Sequence, residues 1–331
     1  MRLGLAAATL GAYLGGGAVL LAQGAACKGS ILAYPAGNNE ATNPARRSGS
    51  HTAAAPPASC DAVPGLDPLL RSHGVLLLGE MHGTVESPAF ASRVVCLALA
   101  ARHSVTIGLE IPLEEQSRIG AFLASSGLPG DRDALLGGAF SQAPFQDGRR
   151  SQAMLALLDD LRRLHRAGRP VRLVLLDSSA GAGGPERDRA MAVRLGSAVA
   201  AAPLDLLVVL TGNIHTRIRR GTPWNPAYEP MGFLVTQLAP KLVVTALDVA
   251  YSGGTAWICE TPQPASCGPK TLKGRPDAGG SRVTVFATVG SDGYSGTYGV
   301  GTLSASPPAV PQAPLGTGDT AGTATPPFNA P

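Results

Sequence analysis

Val75-Leu-Leu-Leu-Gly-Glu-Met-His-Gly83 runs an unbroken apolar stretch into Gly79, then sets a carboxylate and an imidazole just beyond it. The apolar run is too short and too continuous for an amphipathic helix. It reads as a buried strand at the centre of a parallel sheet. Ligands of open α/β sheets bind outside the carboxyl ends of the strands. Glu80 and His82 are two residues apart, so in extended chain they point the same way and can share a proton or a metal. Taken alone, the pair reads equally well as a strand-end turn with a capping His and a solvated Glu.

Other strand ends repeat the pattern. Leu204-Asp-Leu-Leu-Val-Val-Leu-Thr211 is followed by Gly212-Asn-Ile-His215, so two buried runs end in Gly-x-x-His. Val105–Leu109 leads into Glu110, Val171–Leu176 into Asp177, and Leu242–Leu247 into Asp248. If these strands lie parallel, their ionisable ends converge on one edge of the sheet. The expected fold is α/β, a mostly parallel central sheet flanked by helices, in a single domain.

Helices fall between the strands. Ser87-Pro88 opens one that runs to about residue 102, with Pro in the first turn. A second lies near 114–125. Residues 126–149 are irregular, with a short helix at 131–137, and form a candidate lid. Met154, Leu155, Leu157, Leu158, Leu161 and Leu164 mark an amphipathic helix over 150–167, ended by Gly168. Ser178 to Pro185 is a Gly-rich connector without Walker or Rossmann spacing. Helices at 186–201 and 231–239 and strands at 242–250 and 282–289 complete the domain.

The chain has 331 residues, of which only 15% are charged, with 42 Gly and 28 Pro, so part of it is not packed. Net charge is +4 and aromatics are 5%; with no basic cluster carrying interleaved aromatics, nucleic-acid binding has no support. Arg2 followed by the apolar Leu3–Leu21 and then small residues makes 1–26 an export signal. An uncleaved signal would instead anchor the chain. Cys27 follows Gly-Ala-Ala and is a candidate for lipid attachment, although the usual Leu three residues earlier is missing. Residues 27–62 read as a flexible linker, 63–303 as the folded domain and 304–331 as a disordered tail rich in Pro, Ala, Thr and Gly. Five cysteines suit an exported protein, periplasmic or on the outer surface. Cys259 and Cys267 flank a turn-rich loop that a disulfide would close; Cys60 and Cys96 then pair, or Cys96 stays a buried thiol.

The motifs in order resemble one superfamily, which groups the ChaN-like haem-binding lipoproteins, the TIKI and TraB proteins and the erythromycin esterases. The matching pieces are Gly79-Glu-Met-His82, Gly108-Leu-Glu110-Ile with Glu115-Gln116 after it, Arg187-Asp-Arg-Ala-Met-Ala192, and Thr211-Gly-Asn-Ile-His215, over about 75–220. The likeness is best to the ChaN-like branch. The resemblance implies a site made by the two His, the Glu residues and an Arg, either Arg187 or Arg189, of which Arg189 is carried forward. It implies metal-dependent proteolysis, ester cleavage, or haem or iron binding, among which fold kinship does not choose. No haem ligand matches; Tyr228 and Tyr251 are available but read as half-buried aromatics.

Two chemistries follow. In the first, a metal-dependent hydrolase of ester or peptide bonds, His82, His215 and a carboxylate from Glu80 or Glu110 hold a divalent transition metal with room for water. Glu110 is the better third ligand, which leaves Glu80 as base or orienting group, and Arg189 stabilises an oxyanion. A metal-free version uses His82 as base, oriented by Glu80. In the second, the same cluster binds haem or iron without turnover. A domain whose site has decayed to a structural role is the third reading. No Gly-x-Ser-x-Gly occurs, which argues against a serine hydrolase.

Overall fold

A computed structural model describes residues 60–71, 73–178, 183–275 and 278–311. The expected export signal, Cys27, the linker up to residue 59, the middle of the Gly-rich connector and the tail from 312 lie outside the described residues.

The apolar runs form the sheet. β1 (Gly74–Glu80), β2 (Val105–Pro112), β3 (Val171–Asp177) and β4 (Leu206–Gly212) pair in parallel in the order β3-β2-β4-β1. Beyond β1 come β5 (Val243–Cys259) and, past two short strands in sequence, β8 (Gly296–Leu303), both parallel to it. β6 (Cys267–Lys273) and β7 (Arg282–Val285) are antiparallel additions to β5 and β8. Helices α1 (Glu86–Ala100), α2 (Gln116–Ala124), α3 (Pro129–Leu136), α4 (Ala139–Gln142) and α5 (Gln152–Arg166) precede β3; α6 (Gly184–Ala201), α7 (Asn213–Thr216) and α8 (Met231–Leu238) follow it.

Side chains alternate along each strand and bury both faces. Leu76 and Leu78 pack with Phe90 and Val94 of α1 and Leu157 of α5, whereas Val75 and Leu77 pack with Met191 and Leu195 of α6. Every residue of β2 is buried, as a central parallel strand demands. The α5 stripe faces the first core, and Ser151 caps that helix by accepting the Met154 amide at 3.3 Å. Disulfides join Cys60 to Cys96 and Cys259 to Cys267. Among the described residues no helix is long and apolar enough to cross a membrane.

Three elements differ from expectation. β5 does not stop near residue 250: Gly253 and Gly254, at φ +132° and +120°, read locally as a strand end, but they carry the strand through a register shift and on to Cys259. β8, Gly-Thr-Tyr-Gly-Val-Gly-Thr-Leu, has too many glycines to announce itself. It holds the fully buried Tyr298, whose hydroxyl donates to the Gly79 carbonyl at 2.9 Å. Residues 304–311 pack back onto the domain: the Gln152 amide donates to Pro307 O at 2.8 Å, and the Ala153 amide to Ser306 Oγ at 2.9 Å.

The glycines of the two Gly-x-x-His motifs serve each other's motif. A Cβ on Gly79 would lie 2.6 Å from Thr216 Oγ1 and 2.9 Å from Asn213 Cα, inside the turn that carries His215. A Cβ on Gly212 would lie 3.0 Å from His82 Nε2. Each strand end approaches the other because neither glycine has a side chain. Gly79→Ala is therefore expected to cost about 1–3 kcal/mol in urea unfolding, as overpacked cores do. An unchanged unfolding midpoint would show that α7 gives way freely.

Candidate active site

Four adjacent strands end together, and each delivers a group. β1 ends on Glu80 with His82 just after it; β2 carries Glu110, β3 ends on Asp177, and β4 runs into α7 with His215. Leu109 and Ile111 of β2 point into the first core, so Glu110 between them faces the α6 side. Glu80 is in step with Leu76 and Leu78 and faces the other side. His82 bridges the two across the edge of the sheet. Its Nδ1 is 3.0 Å from Glu80 Oε1, and its Nε2 is 3.4 Å from Glu110 Oε2.

Glu110 is the hub. It is 3% exposed and accepts the Gly212 amide at 2.7 Å on Oε2. Its Oε1 takes Arg187, with Arg149 Nη1 at 3.5 Å and His215 Nε2 at 3.8 Å. Burial alone would raise the Glu110 pKa; His82, His215 and Arg187 reverse that and hold the carboxyl well below the usual carboxylate range. Asp177 accepts Arg187 Nε at 2.9 Å and Arg149 Nη1 at 2.7 Å. Asp147 accepts Arg149 Nη2 at 2.6 Å. The carboxylates of Glu80, Glu110 and Asp177 are inward. The side chains that keep some exposure are His82, Arg149, Arg187 and His215.

The two imidazoles have different partners. His82 lies between two carboxylates. Burial favours its neutral form, but Glu110 and Glu80 outweigh burial and push its pKa up to about 10. It is an imidazolium with both nitrogens donating. His215 meets a donor on one side and an acceptor on the other. Arg187 Nη1, 3.0 Å from His215 Nε2, can only donate, so Nε2 accepts and Nδ1 gives its proton to Asp188 Oδ1 at 2.9 Å. Asp188 is fully buried and also accepts the Met231 amide at 2.6 Å and Tyr228 Oη at 2.5 Å. Such a carboxylate fixes the tautomer and aim of the ring.

Glu80, His82, Glu110 and His215 thus come together, and Arg189 does not. Its guanidinium is 69% exposed and 3.6 Å from Glu229. Residues two apart on a helix point to nearly opposite sides, so when Arg187 faces the sheet Arg189 faces water. Asp248 also stays apart: it sits inside β5 and its partners are the Val249 amide and the Asn213 side chain. The cluster gains Arg149 and Asp147, from the segment expected as a lid, and Asp188 behind His215. The local signal for the first two was Asp147-Gly-Arg-Arg150, a charged run just before a helix cap.

The donor set does not fit the divalent metal expected on His82, Glu110 and His215. Both oxygens of Glu110 are taken by cationic or N–H donors, and a guanidinium lies where a cation shared with His215 would sit. His82 offers no lone pair while it is an imidazolium. Among the described residues no group of three or more His, Cys, Asp or Glu is arranged to hold a metal ion. Haem iron takes a free imidazole nitrogen or a phenolate. Here Arg187 lies on His215 Nε2, carboxylates lie on both nitrogens of His82, the Tyr228 hydroxyl is committed to Asp188, and Tyr251 packs against the first core.

No family model and no curated protein matches the chain. Solved structures do. A Bacillus cereus protein is 10% identical, aligned over 73% of this chain and 91% of its own, with a TM-score of 0.52. An erythromycin esterase mutant in its open conformation is 15% identical over 63% of this chain and 78% of its own, with a TM-score of 0.47. ChaN of Campylobacter jejuni, solved with cofacially bound haem, is 12% identical over 56% and 84%, with a TM-score of 0.35. The neighbours include an esterase and a haem-binding ChaN, two of the groups the motifs resemble. At these identities the likeness is one of fold: an α/β protein with a mostly parallel sheet flanked by helices.

Arg187 neutralises both Glu110 and Asp177. Arg187→Ala leaves them short of a cation and is expected to lower stability by about 3–5 kcal/mol, the cost of breaking a buried pair. Arg189→Ala, on the water side, should change it by less than about 0.5 kcal/mol. Parallel urea titrations of the two variants check this, and equal losses would overturn the assignment.

Proposed function

We propose that the protein is an exported hydrolase of ester-type acyl bonds that works by side-chain acid–base chemistry without a metal ion. Export rests on the signal-like residues 1–26 and the two disulfides. The observation that carries the chemistry is the pair of imidazoles set on opposite oxygens of Glu110, one between two carboxylates and the other between a carboxylate and a guanidinium. Two imidazoles with such different surroundings suit the roles of an acid and a base.

The substrate carbonyl oxygen lies against the N–H edges of Arg187 and Arg149, where negative charge develops in the transition state. Arg187 Nη1 turns from His215 Nε2 to that oxygen and frees the imidazole lone pair. His215, held by Asp188, takes a proton from water as the water oxygen attacks the carbonyl carbon. When the tetrahedral intermediate collapses, the acyl C–O bond breaks and the leaving oxygen takes the Nε2 proton of His82. Acid and alcohol leave, and solvent returns the proton from His215 to His82. In this reading His82 serves as the acid rather than the base, with Glu80 holding Nδ1.

His82→Ala should lower kcat/KM on alkyl esters by roughly 10²–10⁴-fold. It should cost much less on p-nitrophenyl esters, whose leaving group needs no proton. Equal losses on both would remove the acid role. If no ester is cleaved, and haem titration gives a visible absorbance band that His82→Ala abolishes, the haem-binding reading replaces this one.

The pH profile supplies a separate check. The His82 pKa is raised, so the acid is present below about 10 and is lost as pH rises through that value. The rate should fall on this alkaline limb. Glu80→Gln removes one of the carboxylates that hold the proton, so the limb should move to lower pH. A limb that rises with pH, or one that Glu80→Gln leaves in place, would contradict the assignment.

A further inference from the structure

A cavity of about 40 Å³, measured as space open to the centre of a water molecule, lies beside the site on the α2–α5 side of the sheet. Its walls are mostly apolar: Ile111 of β2, Leu135 of α3, Phe140 of α4, and Met154, Leu155 and Leu158 of α5. Two cations also line it. Arg149 is the guanidinium that reaches Asp177 and Glu110 in the active site. Arg150 is 9% exposed; its Nη atoms donate to the Phe140 and Phe145 carbonyls and its guanidinium lies 4.7 Å from the Phe140 ring centre. Its Nε has no hydrogen-bond partner, and among the described residues no carboxylate lies within ion-pair distance of it. The third charge on the wall, Glu115, accepts Arg118 Nε at 3.1 Å and the Phe140 amide at 3.1 Å.

An apolar cavity that shares a guanidinium with the reacting centre, and has a second guanidinium in its wall, suits a ligand with an apolar chain and an electron-rich oxygen at one end. We propose that this cavity is the acyl subsite, which takes a short unbranched acyl chain whose carboxyl end lies at Arg149. This rests on the hydrolase reading for its kinetic consequence, though not for binding of the acid product. In units of one water position, 40 Å³ holds roughly three to four, so an acyl chain of about four carbons fits. Longer chains would have to displace the α3–α5 wall. Ala309, in the returning segment 304–311, also lines the cavity, and its amide donates to the Arg150 carbonyl at 2.8 Å.

The test uses the full chain, butyrate as the binding probe, and p-nitrophenyl acetate, butyrate, hexanoate and octanoate as substrates. Leu155, part-buried in the wall, is replaced to fill the cavity (Leu155→Trp) and to enlarge it (Leu155→Ala). The unaltered protein should bind butyrate at millimolar concentration by NMR titration, with Leu155→Trp weakening it by about tenfold or more. Its kcat/KM should peak at butyrate and fall about tenfold for each unaccommodated step in length. Leu155→Trp should move the peak to acetate and Leu155→Ala to hexanoate, which a merely destabilised protein would not do. Butyrate binding that is absent, or that Leu155→Trp leaves unchanged, overturns the subsite. Ester cleavage with a length profile that neither substitution moves also overturns it, while the hydrolase reading stands. Butyrate binding that depends on Leu155 in a protein that cleaves no ester supports the subsite and removes the hydrolase reading instead.

Discussion

A single buried carboxylate organises the end of this sheet. Glu110 faces donors from β1, β4, α6 and the segment before α5, and each of them is needed to keep a charge in an almost dry place. Burying an ion without partners costs far more than a domain's net stability allows. The converse also holds: the guanidiniums of Arg149 and Arg187 stay in place because Glu110 and Asp177 stand behind them. Charge compensation at this point therefore fixes the relative placement of four strand ends, α6 and the 126–149 segment. The site is part of what holds the fold together there.

Close backbone approach is the second constraint. His82 and His215 reach one carboxylate from two strands because Gly79 and Gly212 leave room for each other's motifs. The Gly79 carbonyl is tied in turn by Tyr298 from β8, two strands away, so a glycine-rich strand with little propensity of its own supports the edge that carries the candidate site. These contacts pass from the sheet core to the histidines without any flexible connector, which suits a site that must hold its groups within a few tenths of an ångström.

The same arrangement sets what each imidazole faces. Two imidazoles with the same intrinsic chemistry differ only in what they face: carboxylates on both sides for His82, a carboxylate and a guanidinium for His215. Neighbouring charge, not residue type, divides them into donor and acceptor. Fold likeness alone leaves the activity open, since one fold hosts many sites. In the site itself, Glu110 takes N–H donors on both oxygens and Arg187 lies on His215 Nε2.

Much of this was legible in the chain. A parallel strand buried on both faces must be apolar throughout, so β1, β2 and β4 stand out as runs, and the groups that follow them must meet at one edge. Glu80, His82, Glu110 and His215 could be picked out for that reason, and the α5 stripe showed its helix by period alone. What remained hidden depended on partners distant in sequence. Arg187 and Arg189 are indistinguishable until the helix is set against the sheet, and its rotation is decided by Met191 and Leu195 packing below. Arg149 comes from a segment with no periodicity, β8 is masked by its glycines, and Asp188 gains its role only from a histidine 27 residues away. Local pattern determines which elements form, because propensity and burial act on neighbours in sequence. Tertiary packing alone decides which charges face each other, and with that which partners each imidazole has.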